Sequence, residues 1–204
     1  MSEFDLKARD WDKNKMNLER TMAVADKLLR YLPETTTLKA MEFGAGTGLL
    51  SFYLKDRFSE ITLMDNSIEM LKAAEEKMEK SDRLKLKTLY FDLESSEYKG
   101  TRFDVIYSQM VLHHIKDTEV IFKRLYQLLN PGGILAIADL YEEDGSFHDF
   151  NPDVHKGFDP EKLKLIVLKL GFKNYHAEPC FVIRREDSEG NPQEYPLFLM
   201  TAKK

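Results

Sequence analysis

Three glycines alternate in Gly44-Ala45-Gly46-Thr47-Gly48, directly after an apolar-rich run over residues 38–43. A strand that ends in such a turn and enters a helix brings backbone N–H groups close to a polar ligand, because no Cβ intervenes. The third glycine of a dinucleotide fingerprint would fall at position 49, which is Leu. Glu42 stands just before the loop. An acid there sits badly beside a pyrophosphate and suits a cationic amine, or a brace for the loop. Asp65 closes the next apolar segment, where a carboxylate can accept hydrogen bonds from ribose hydroxyls. Asp92 closes the third. His113, His114, His148 and His155 follow, and imidazoles titrate near neutrality.

The elements that must position these residues alternate. Residues 14–32 read as a helix, with Met16, Ala23, Leu28 and Leu32 at helical spacing and Pro33 as its stop. Strands are expected over 38–43, 61–64, 84–91, 103–107 and 134–138. Helices are expected over 49–57, 67–80, 117–129 and 160–170. Asn130-Pro131-Gly132-Gly133 reads as a turn before the fifth strand. Residues 139–158 read as a long irregular loop. Two further strands, 175–185 and 195–202, are joined through Ser188-Glu189-Gly190-Asn191-Pro192. That connection is too short for a crossover helix, so this pair should be antiparallel. The alternation implies βαβ units and a mostly parallel sheet.

Glu42-Phe43-Gly44-Ala45-Gly46-Thr47-Gly48 resembles the glycine-rich first motif of class I S-adenosylmethionine (SAM)-dependent methyltransferases, and the order of elements matches from Leu38 onward. Within that superfamily the chain looks most like the small quinone-biosynthesis-like (type 11–12) subgroup. The resemblance implies an α/β Rossmann-like three-layer sandwich. Its seven-stranded sheet would be mostly parallel, with an antiparallel last strand. It implies one domain over 1–204, with a helical lid over 1–36 and a Rossmann-like core over 37–204. It implies that Glu42, Gly44, Ala45, Gly46 and Gly48 form the cofactor loop. Asp65 would hold the ribose, Asp92 the adenine amino group with Leu93 against the ring, and Asn66, Ser67 and Met70 would complete the adenosine pocket. Ser108, Gln109 and His113 would run beneath the methionine end. Arg9 or Trp11 would reach the cofactor from the lid.

Methyl transfer from a sulfonium is an in-line displacement with a good leaving group, so alignment and exclusion of water matter most. A general base is needed only when the nucleophile is protonated. His113, His148 and His155 are the candidates. Adjacent residues point apart, so His113 and His114 should not both face the site, and His114 is expected as a buried core histidine. His148, Asp149 and His155 could in principle ligate a metal, but their spacing matches no zinc pattern and no metal is expected. The alternatives are a NAD(P)-binding oxidoreductase and a non-catalytic SAM-binding module.

Composition narrows the acceptor. The 204 residues carry a net charge of -5, which disfavours a nucleic-acid substrate. One cysteine, Cys180, excludes an intrachain disulfide framework and disfavours arsenic chemistry. No apolar run is long enough to span a bilayer and no signal pattern leads the chain. The expectation is a cytoplasmic monomer or homodimer acting on a small-molecule methyl acceptor.

Overall fold

The computed structural model describes residue 8, residues 11–186 and residues 190–204. Arg9, Ser188 and Glu189 lie outside the described residues. Seven strands form one sheet: β1 (Lys39–Phe43), β2 (Glu60–Asp65), β3 (Leu86–Tyr90), β4 (Phe103–Gln109), β5 (Leu129–Leu140), β6 (Lys173–Glu186) and β7 (Pro192–Lys203). Their order is β3-β2-β1-β4-β5-β7-β6. The first five run parallel, and β7 inserts antiparallel between β5 and β6. This is the expected architecture.

Alternation along the strands feeds two cores. Ala40, Val105 and Tyr107 face one, while Met41, Ile106 and Phe43 face the other. On the first face pack α1 (Lys15–Leu29), α2 (Leu49–Leu54) and α3 (Ile68–Lys77), through Val24, Leu28, Leu50, Leu54 and Leu71. On the second pack α4 (Thr118–Leu128) and α5 (Pro160–Lys169), through Ile121, Phe122, Leu125, Leu163 and Val167. Asn14, Ser67, Asp117 and Asp159 cap α1, α3, α4 and α5, each side chain accepting from a backbone N–H of the first turn. Among the described residues no helix is long and apolar enough to cross a membrane.

Two local expectations give way. Residues 130–133 belong to β5 rather than to a turn, because the Gly132 N–H donates to the Lys204 carbonyl and the Lys204 N–H to Gly133. The ladder to the end of the chain thus carries the strand through the glycines. The third strand starts at Leu86 rather than Leu84, because Asp82–Leu84 forms a 3-10 turn whose Asp82 is paired with Lys55.

Candidate functional site

A cavity of about 1110 Å³ opens at the C-terminal ends of β1, β2 and β4. Strand order reverses between β1 and β4, and ligands of open α/β sheets bind at such switch points. Its floor is the glycine loop, with Gly44, Ala45 and Gly46 on the wall. Gly44 holds φ +66°, and a Cβ there would stand 2.4 Å from a methyl of Val111. Only glycine lets this turn lie so close to the segment after β4. Gly48 is off the wall. It caps α2 at φ +76°, where a Cβ would lie 2.5 Å from Leu63, so its role is to pack helix on strand.

Asp65 ties the loop down. One carboxylate oxygen accepts from the Gly46 N–H at 2.7 Å and the other from the Ser67 N–H at 2.7 Å. Asp65 lies on the same wall as Asn66 and Met70. Glu42 is buried beneath the loop. It accepts from both the N–H and the hydroxyl of Ser51 in α2, and Ser51 contacts the Tyr107 hydroxyl at 2.8 Å. Burial pushes the Glu42 carboxyl up to about 8, against the pull of the Ser51 hydrogen bonds. Asp92 and Leu93 line the cavity at the end of the third βα unit. Asp92 accepts from the N–H groups of Glu94 and Ser95 and from the Ser95 hydroxyl, and that hydroxyl chiefly holds its carboxyl below the usual range. Ser108 is not on the wall, because its hydroxyl donates to the Phe43 carbonyl at 2.7 Å and braces β1 against β4.

The roof comes from the N-terminal segment. Trp11 lines the cavity, and its carbonyl accepts from Asn17 at 3.0 Å. Arg20 is the residue that sequence reasoning missed. It is 5% exposed and lines the cavity, and its Nε has no hydrogen-bond partner among the described residues. Burial pushes its guanidinium down to about 10, against the attraction of Asp139. Gln109 donates to the Thr21 hydroxyl at 3.0 Å, while its buried Oε1 also has no partner among the described residues. The buried face of α1 reads Asn17, Arg20, Thr21, Val24, Ala25, Leu28. Polar residues on the inward face were the available signal. Buried polar groups without partners are rare and costly. An orphaned guanidinium N–H and an orphaned amide oxygen across one cavity match a ligand bearing both a carboxylate and an ammonium group.

The histidines gather on the far wall. Leu112–His114 makes one 3-10 turn, and Ser146–His148 makes another in the loop after β5. The turn brings the two adjacent rings to 4.2 Å, so His114 is a half-buried wall residue beside His113 rather than a core histidine. His148 joins them at 4.9 and 5.0 Å. His113 Nδ1 lies 2.6 Å from Asp139 Oδ1. Burial works to raise the Asp139 carboxyl, and the attraction and hydrogen bonds of His113, with the Leu140 N–H, outweigh it and hold it low. His155 is not on the wall. Its ring contacts the Ile115 carbonyl at 2.9 Å and its N–H donates to the His113 carbonyl at 2.8 Å, so it clamps the loop onto the first turn. Cys180 is buried, which pushes its thiol up to about 12.

A family model described as a methyltransferase domain matches residues 41–135. An uncharacterized methyltransferase of Schizosaccharomyces pombe is 30% identical over 142 residues, covering 62% of this chain and 50% of that protein. Phosphoethanolamine N-methyltransferase 3 of Arabidopsis thaliana is 34% identical over 104 residues, covering 50% of this chain and 21% of that one. The chain thus spans half or less of the length of these relatives. The solved phosphoethanolamine N-methyltransferase 2 of Haemonchus contortus, in complex with phosphomonomethylethanolamine and S-adenosylhomocysteine, superposes with a TM-score of 0.73 at 18% identity. That match covers 100% of this chain and 60% of the other, and at this identity it is a likeness of fold. Taken together with the glycine loop and the strand order, these matches say what the chain is similar to: its residues 41–135 match a methyltransferase domain, and its fold is that of a solved S-adenosylmethionine-dependent enzyme's methyltransferase core.

Proposed function

We propose that the protein transfers a methyl group from S-adenosylmethionine to a small-molecule acceptor. S-adenosylmethionine supplies the methyl group already activated on a sulfonium. The observation that carries the reading is one cavity walled at once by the glycine loop, two strand-end carboxylates and a buried arginine whose Nε has no hydrogen-bond partner among the described residues. Asp65 would take the ribose hydroxyls, and Asp92 with Leu93 the adenine. Arg20 and Gln109 would take the carboxylate and ammonium groups of the methionine end, with Glu42 beneath. The cavity, at about 1110 Å³, exceeds the ~300–1,000 Å³ of a single drug-sized ligand, which leaves room for an acceptor beside the cofactor. His113, His114 and His148 would face that acceptor, and Trp11 with α1 would form the lid of a single domain. The Asp139 carboxylate would hold His113 in one orientation. The net charge of -5 supports an acceptor other than nucleic acid, and the single buried cysteine fits a cytoplasmic setting.

Calorimetry with S-adenosylhomocysteine tests the cofactor role. Micromolar binding, weakened in Asp65→Ala, is expected. Absence of binding by the intact protein would sink the reading. A panel of small phenols, thiols and amines, read by formation of S-adenosylhomocysteine, then tests the acceptor class. Turnover of none of them would remove the small-molecule part of the proposal.

A further inference from the structure

The three cavity histidines come from two separate 3-10 turns, and one ring nitrogen of each lies within 4.8 Å of the others. Their convergence is built rather than incidental. His155 fastens the second turn's loop to the first through the carbonyls of His113 and Ile115. Asp139, fully buried, fixes the His113 ring from behind at Nδ1. An ionised carboxylate only accepts, so the proton of neutral His113 sits on Nδ1 and Nε2 carries the lone pair. A carboxylate behind the remote nitrogen of an imidazole is the usual support of a metal-ligating histidine.

We propose that His113, His114 and His148 bind one divalent transition-metal ion at the wall of the cavity. Three imidazole nitrogens with an open side toward a cavity are the donor set of an ion that keeps a position for an exogenous ligand. Imidazole donors select zinc, cobalt, nickel or copper over magnesium and calcium. Nitrogen–metal bonds of about 2.1 Å need the three nitrogens roughly 3.4 Å apart. From separations of up to 4.8 Å, the trio therefore draws in on binding. The change falls to the His114 and His148 side chains, because Asp139 fixes the His113 ring. The role of the ion rests on the methyltransferase reading: it would hold an oxygen or sulfur of the acceptor and favour its deprotonated form, sparing the site a general base. Binding of the ion does not rest on that reading.

The test uses the whole protein, purified without a polyhistidine tag and stripped with a chelator. It is titrated with cobalt(II) and followed by visible absorption, with S-adenosylhomocysteine binding measured on the same sample. The expected result is one cobalt per chain, with the intense bands of a four- or five-coordinate site. Zinc should displace it, and His114→Ala and His148→Ala should each lower the affinity at least tenfold. Should His114→Ala fail to fold, His148→Gln carries the same expectation from the loop. Absence of the bands, or bands that persist in a folded His148 variant, overturns the metal site. If S-adenosylhomocysteine still binds in that case, the methyltransferase reading stands. Cobalt binding without S-adenosylhomocysteine binding supports the metal site and overturns the methyltransferase reading.

Discussion

Glu42 accepts both the backbone N–H and the hydroxyl of Ser51, so a single buried carboxyl joins the end of β1 to the first turn of α2 across the glycine loop. Burial holds its folded value near 8, against 4.5 when exposed. Between those values the native state binds the extra proton and the unfolded chain does not. Stability therefore falls as pH rises from about 4.5 to 8. The loss is on the order of a few kcal/mol. Urea unfolding at pH 5.5 and pH 8 should show it, and the difference between the two should shrink in Glu42→Gln. An equal slope in the variant would remove Glu42 as its source.

Gly44→Ala should weaken cofactor binding strongly while leaving the fold largely intact. The added methyl meets Val111, a half-buried wall residue, at a φ that L side chains rarely adopt. S-adenosylhomocysteine affinity should drop by more than tenfold. Companion replacement of Val111 by Ala should recover part of it, and calorimetry on both variants decides.

Arg20→Met should weaken S-adenosylhomocysteine by about ten- to a hundredfold, the worth of a charge-assisted hydrogen bond. It should not lower the thermal midpoint of the free protein. Replacing a buried cation, one of whose nitrogens lacks a partner among the described residues, with an apolar chain of similar length removes a desolvation cost. A variant that melts earlier and binds normally would contradict both halves.

Asp117→Ala removes the side-chain cap that accepts the Val120 N–H at the start of α4, away from the cavity wall. It should cost about 1 kcal/mol in chemical denaturation. Cofactor affinity should be unchanged, which makes it the control for the two preceding variants.

The loop and the carboxylates were legible because each sits where a hydrophobic period stops. Asp65 and Asp92 end apolar runs, and glycine spacing survives in any context. Arg20 was hidden because a helix with many charges reads as a solvated lead-in. Only the inward period Asn17-Arg20-Thr21-Val24 distinguishes it. His114 was misplaced by assuming an extended chain, in which neighbours oppose each other. A 3-10 turn sets them on one side. The fate of residues 130–133 depended on Lys204, a partner no local window contains.

The helix that carries Arg20 is held from the far end of the chain. Lys27 and Tyr31 both bond to Glu178 of β6, across separations of 151 and 147 residues. During synthesis the glycine loop and its carboxylates can form well before this clasp exists. The roof of the pocket is complete only when the hairpin of β6 and β7 adds this clasp to the packing of α1 on α2. The lid over the cofactor pocket is thus tied to the C-terminal hairpin, and contacts of such sequence separation are the slow kind to form.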